Sequence, residues 1–165
     1  MAKSTLNPKE PQTSVILDTD VVINWLIKET ETATMRKLWE IPHKIVSFIE
    51  NKKLRGIISL TTLLEIRFLL RRKKEYGEQQ IEGFITDITA VFEIAIPDEI
   101  SLLEANKLQS ENLLDPFDAI LLGLSIMLKS SAFISRDSDF LKVASEFATA
   151  LTPEKFAERF FVNFT

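Results

Sequence analysis

The sequence predicts an α/β fold: a three-layer sandwich in which a mainly parallel central sheet is flanked by helices. Two observations predict it. Short β-branched or aromatic runs alternate with longer segments whose apolar residues recur at helical spacing, the pattern of strand–helix–strand units. Within residues 115–140 (DPFDAILLGLSIMLKSSAFISRDSDF), positions 119–128 are apolar on every side except at Gly123 and Ser125. A helix apolar all round is a buried one, and a run of 10 residues is too short to cross a bilayer. No repeat, low-complexity stretch or linker interrupts the pattern, so residues 14–165 read as one domain.

Taken in order, residues 1–13 are polar, lack the apolar core of a signal peptide, and read as a flexible tail. Residues 14–17 (SVIL) form a first strand ending at Asp18, followed by a helix over about 21–28. Residues 35–51 show helical spacing, with Pro42 predicted as a boundary between two helices. Residues 56–59 (GIIS) give a second strand and 62–74 a helix. A helix over 78–90 leads to a third strand over 91–96, stopped by Pro97, and 99–109 is helical. The buried helix follows, opened by Asp115 as cap and Pro116 at its first position. Residues 132–134 (AFI) form a fourth strand; then come a short helix from Ser138, an edge strand around 147–151 and a closing helix from Pro153.

Composition narrows the function classes. Hydrophobic residues at 45%, with 4 Gly and 6 Pro, exclude a disordered chain. The absence of cysteine excludes disulfides, thiolate ligands and cysteine nucleophiles, and suits a reducing cytoplasm. His43 is the only histidine, which excludes a two-histidine ribonuclease mechanism. Net charge is −4, from 20 basic and 24 acidic residues, so the chain does not coat nucleic acid by bulk charge. Charge distribution still leaves room for an enzyme that acts on it.

Four acids share one address. Asp18 lies past the first strand, Glu65 in the first helical turn after the second, Asp118 in the first turn of the buried helix, and Asp137 past the fourth strand. In open α/β sheets, ligands bind beyond the carboxyl ends of the strands. Each acid also has a plain structural reading. Thr62 and Glu65 have capping-box spacing, Asp20 and Asp137 suit helix N-caps, and acids favour the first helical turn. Against this stands their density beside very apolar neighbours, because clustered carboxylates repel one another unless protonated or bound to a cation. All-oxygen ligation selects hard ions such as Mg²⁺ or Mn²⁺.

The ordered motifs Val15-Ile-Leu-Asp18-Thr19-Asp20, Ser59-x-x-Thr62-x-x-Glu65, Asp118-Ala119-Ile120 and Ser135-Arg136-Asp137-Ser138-Asp139-Phe140 resemble those of PIN-domain nucleases, most closely the VapC-type toxin ribonucleases. The resemblance covers roughly residues 14–152. It implies a PIN-like fold and Mg²⁺- or Mn²⁺-dependent hydrolysis of RNA with one or two ions. It carries the family's acidic quartet onto Asp18, Glu65, Asp118 and Asp137, with Thr19 and Ser135 as supporting hydroxyls and Asp139 as a fifth acid. It further implies an antitoxin partner and a homodimer. The sequence departs from the pattern at Asp20, where asparagine is common, and at Asp115, an additional acid.

Arg67, Arg71 and Arg72, with Lys73 and Lys74, form a basic helix end that either contacts RNA phosphates or is simply solvated. Two rivals remain at this level. Asp18-Thr-Asp20 also resembles the first motif of haloacid-dehalogenase-type phosphatases, with Asp18 as nucleophile and Asp20 as general acid. The other rival is a non-catalytic PIN-like scaffold that binds RNA or protein.

Overall fold

In the computed structural model, which describes residues 13–161, five parallel strands form one sheet in the order β3-β2-β1-β4-β5. The strands are β1 (Ser14–Leu17), β2 (Arg55–Ser59), β3 (Glu93–Ala95), β4 (Ala132–Ile134) and β5 (Ala150–Leu151). Between and after them run α1 (Thr19–Ile27), α2 (Glu40–Glu50), α3 (Leu60–Arg72), α4 (Glu78–Val91), α5 (Glu99–Glu111), α6 (Pro116–Met127), α7 (Ser138–Ala144) and α8 (Pro153–Phe160). The predicted fold class is the one observed. The expected tail lies outside the described residues except for Thr13, whose carbonyl accepts from Arg55 N at 2.9 Å.

Strand side chains alternate, and the alternation builds the three layers. On β1, Val15 and Leu17 join one core while Ile16 joins the other. Ile58 and Ile57 divide in the same way on β2, as do Ala132 and Ile134 against Phe133 on β4. The larger core takes Val22 of α1, Ile45 of α2, Ile66 of α3, Ile81 of α4 and Phe156 of α8. The smaller takes Leu108 of α5, Leu122 of α6 and Phe140 of α7. A central strand apolar at every position is thus satisfied from both sides.

Several predicted boundaries move, each for a local reason. Residues 35–51 do not make two helices: α2 begins at Glu40, and Pro42 lies buried in its first turn. There a proline's missing N–H deprives the helix of nothing, because first-turn donors have no intrahelical acceptor. Residue 37 instead bridges antiparallel to Thr30. Asp18, not Asp20, caps α1, so that helix starts earlier than expected. The third strand shrinks to Glu93–Ala95 because α4 continues through Val91, and the edge strand shrinks to Ala150–Leu151. The apolar helix is buried at Ala119 and from Leu121 to Ser125, whereas Met127 and Leu128 at its end are 44% and 42% exposed.

Helices α5 and α6 pack backbone to backbone at Gly123. A Cβ there would stand 3.2 Å from the Ser101 carbonyl oxygen and 3.5 Å from Ala105 N. By contrast, Gly83 on the exposed face of α4 has nothing within 4 Å of a Cβ. Urea unfolding is therefore expected to show Gly123→Val destabilised by about 1–3 kcal/mol through overpacking. Gly83→Ala is expected to be stabilised by about 0.5–1 kcal/mol through helix propensity.

Candidate active site

Strand order reverses direction at β1: β2 and β3 lie to one side, β4 and β5 to the other. The crevice beyond β1 and β4 is the topological switch point, where α/β sheets bind ligands. Leu17 and Ile134 are register partners, and Asp18 N donates to the Ile134 carbonyl at 2.9 Å. That pairing sets Asp18, the next residue on β1, beside Ser135, the next on β4. Ser135 Oγ donates to Asp18 Oδ2 at 2.7 Å and accepts from Asp137 N at 3.0 Å. One buried hydroxyl thus ties two of the predicted acids together.

Asp18, Asp115 and Asp137 each open a helix at this rim. Asp18 Oδ1 accepts from Thr19 N at 2.7 Å. Asp137 Oδ1 caps α7 through Asp139 N and Phe140 N at 2.9 and 3.0 Å. Asp115 Oδ1 caps α6 through Phe117 N and Asp118 N at 2.8 and 3.0 Å, which leaves Asp118 in the first turn with no capping duty of its own. For Glu65 the capping-box expectation is overturned. Ser59 is the N-cap of α3, Glu65 lies in the second turn, and its Oε2 accepts from Thr19 Oγ1 at 2.5 Å. Thr19 therefore links Asp18's helix to Glu65's.

Asp18, Glu65, Asp118 and Asp137 all line one cleft of about 310 Å³, together with Thr19, Asp20 and Asp115. Ile23 and Leu69 form its apolar wall; Glu29, Lys73 and Lys74 form its outer side. Asp139 is exposed in α7 and does not line the cleft. Among the described residues no three acidic or histidine side chains already converge tightly enough to form a ready-made ion site. The acids face a common space without clasping a point in it.

Their crowding is visible in their proton affinity. Burial, joined by the charges of Asp18, Asp115, Asp137 and Glu65, pushes the Asp118 carboxyl up to about 8. Burial also raises Asp18 to about 6, with Glu65 and Asp137 adding to it and the hydrogen bonds from Ser135 and Thr19 opposing it. Asp20 rises to about 7 through burial and the Asp18 charge. Its Oδ2 accepts from Arg136 N at 3.0 Å, while its Oδ1 is buried without a partner.

The basic helix end divides in two. Arg67 pairs with Glu78 and Glu82, and Arg71 with Glu78, so both point toward α4. Lys74 lines the cleft but holds Glu29 at 2.5 Å; Lys73 lines it as well. Sequence reasoning gave no role to Asn24, Glu29 or Arg136. They connect across elements, and no local spacing signals such contacts.

The raised acids have a consequence for stability. An acid whose native pKa exceeds its unfolded value binds protons more tightly when folded, so stability falls as pH rises between the two values. For Asp18, Asp20 and Asp118 that window runs from the ordinary aspartate value of 3.8 to about 6, 7 and 8. With EDTA present, these three acids are expected to lower the melting temperature progressively between about pH 4 and pH 8. Asp118→Asn should flatten that slope and melt higher at about pH 8, on the order of a few °C. A scan of melting temperature against pH for both proteins checks this.

The family model described as PIN domain matches residues 15–146. Among curated proteins, none matches the sequence. Among solved structures, VapBC2 from Rickettsia felis bound to a DNA fragment from its promoter is similar over 85% of this chain and 98% of its own, at 12% identity and TM-score 0.66. A toxin–antitoxin complex from Klebsiella pneumoniae covers 84% of this chain and 97% of its own, at 18% identity and TM-score 0.61. PAE2754 from Pyrobaculum aerophilum covers 92% and 97%, at 14% identity and TM-score 0.62. At such identities these structures speak for the fold, and the family match rests on the sequence itself across most of its length. The chain belongs to the PIN domain family.

Proposed function

We propose that this protein is a Mg²⁺- or Mn²⁺-dependent endoribonuclease and the toxin of a toxin–antitoxin pair, acting in the cytoplasm. The observation that carries the reading is the meeting of Asp18, Glu65, Asp118 and Asp137 in one cleft at the switch point of the sheet. The donor set fits a hard divalent cation: it is all oxygen, it is acidic, and burial raises the proton affinity of Asp18 and Asp118. Asp18, Asp118 and Asp137 would hold the metal, with Glu65 as a further ligand. A bound cation supplies charge against the phosphate and acidifies water.

The chain's own residues do the rest. Ser135 and the Thr19 amide fix the Asp18 carboxylate from both oxygens. Glu65, held by Thr19 Oγ1, is placed to orient the attacking water. Lys73 and the exposed Arg72 are better placed than Arg67 and Arg71 to meet RNA phosphates, because the latter two are paired with glutamates.

The partner reading has its own support. A trough of about 520 Å³ lined by Leu64, Phe68, Leu69 and Phe117 adjoins the cleft and shares Glu65 and Asp115 with it. Leu64, Phe68 and Phe117 are 61%, 58% and 44% exposed. An antitoxin segment carrying apolar side chains and a cation complements such a surface. A homodimer belongs to the same proposal. Membership of the PIN family leaves the haloacid-dehalogenase reading without support, and the scaffold reading becomes an outcome of the test.

Total RNA incubated with Mn²⁺ should yield discrete fragments with the wild type, and Asp118→Asn should lower the rate by at least about 100-fold, each decade of rate being 1.36 kcal/mol in barrier. Equal activity in the two would refute the role given to Asp118. No cleavage by the wild type, with a melting temperature unmoved by Mg²⁺ or Mn²⁺, would favour a non-catalytic scaffold.

A further inference from the structure

We propose that Arg136 is a positioning residue for the acidic cleft, a strut that fixes the loop carrying Ser135 and Asp137 against α1, α8 and residues 29–38. The inference rests on the metal-dependent reading for its effect on an ion, though not for its effect on the loop. Only three residues, 135–137, separate β4 from α7, and two of them serve the site directly. Ser135 bonds Asp18 and Asp137 caps α7 while lining the cleft. Arg136, between them, sends its backbone one way and its side chain the other.

The backbone N–H of Arg136 donates to Asp20 Oδ2 at 3.0 Å, which faces the cleft side. The guanidinium reaches three separate parts of the chain. Nε donates to Asn24 Oδ1 of α1 at 2.7 Å, and Nη2 to the Leu38 carbonyl at 2.8 Å. Nη1 and Nη2 hold the two Glu154 oxygens of α8 at 3.0 and 2.9 Å, a fork-on-fork pair. The side chain is only 16% exposed, so these bonds form out of reach of most water.

The contacts continue past the arginine. Asn24, 3% exposed, donates from Nδ2 to Glu29 Oε2 at 2.8 Å, and Glu29 pairs with Lys74 at the end of α3. Glu29 and Lys74 both line the cleft. Arg136 therefore stands where the acidic loop and the basic helix end are joined through polar side chains. Lysine cannot replace it, since a single ammonium does not present a planar fork to a carboxylate while reaching an amide and a carbonyl. Groups that orient metal ligands typically govern affinity by 10–100-fold when lost.

The test compares wild type, Arg136→Ala, Arg136→Lys and Arg36→Ala. Arg36 also pairs with Glu154, at 2.8 Å, but touches nothing in the cleft, so it controls for loss of the outer ion pair. Mn²⁺ binding is followed by electron paramagnetic resonance, and amide hydrogen exchange is followed across residues 135–139, both well below the melting temperature. Arg136→Ala is expected to weaken Mn²⁺ binding about tenfold or more and to speed exchange in that loop. Arg136→Lys should recover little of either, guanidinium added to Arg136→Ala should restore part of both, and Arg36→Ala should leave both unchanged.

If Arg136→Ala does not fold, Glu154→Gln takes its place, keeping the shape while removing the charge, with smaller changes of the same sign expected. Wild-type Mn²⁺ affinity and unchanged loop exchange in a folded Arg136→Ala, with only a lower melting temperature, would overturn the proposal and leave Arg136 a brace. Should the wild type bind no Mn²⁺, the metal reading fails on its own, and loop exchange still decides whether Arg136 orders the loop.

Discussion

Carboxylates crowded at the end of a sheet repel one another, and the rest of this structure is arranged around tolerating that repulsion. Asp18, Asp118 and Asp137 are brought together by strand register and helix entry, from positions far apart in the chain. Removing their charges from water is costly unless each oxygen is hydrogen-bonded or neutralised. The fold satisfies much of that demand with backbone donors. Asp18 and Asp137 spend an oxygen on a helix N-terminus, where the dipole favours negative charge. The observed cap and the proposed ligand role are therefore not rivals for these residues. In Asp137 the cap takes Oδ1 alone, whereas in Asp18 both oxygens are held, Oδ1 by the Thr19 amide and Oδ2 by the Ser135 hydroxyl.

Asp118 is the exception that shows where the demand goes unmet. Asp115 has taken over the capping of α6, so Asp118 sits in the same turn without a backbone donor and with acidic neighbours on several sides. Its high proton affinity follows. A protonated acid at neutral pH is a poor ligand and a poor base, whereas a cation in the cleft would reverse the balance by replacing the proton. Asp18, Asp20 and Asp118 thus cost the fold most when ionised, at high pH.

Much of this was legible in the sequence because it depends on local order. The strands are apolar at consecutive positions, so they announce a sheet covered on both faces; Asp115-Pro116 announces a helix start; and an acid directly after a strand announces the rim. Glu65 lies in the helix its sequence position predicts, but its local duty differs. Its spacing from Thr62 fits a capping box, yet Ser59 had already capped α3, three residues before Thr62. Pro42 misled in the opposite way: a residue that breaks helix interiors is welcome in a first turn, and only the position of the turn distinguishes the two. What stayed hidden were the long bonds. Arg67 and Arg71 read as a cationic patch until Glu78 and Glu82 of the next helix are seen against them.

Arg136 illustrates why such bonds matter more to a site than its carboxylates suggest. Glu65 can be recognised from its type and place, but a carboxylate within a rotatable side chain is useful only if its backbone does not drift. The loop after β4 is too short to carry its own core and has no regular structure of its own. It borrows rigidity: Ser135 from Asp18 inside the cleft, Arg136 from Glu154, Asn24 and Leu38 outside it. The borrowed bonds tie the loop to α1 and its cap, to α8 and to Leu38, so no single helix movement can release it. Placing acids at a rim takes only sheet topology. Holding them there against their mutual repulsion is the part we assign to the half-buried guanidinium on the far side of the loop, a cation that is covalently part of the loop itself.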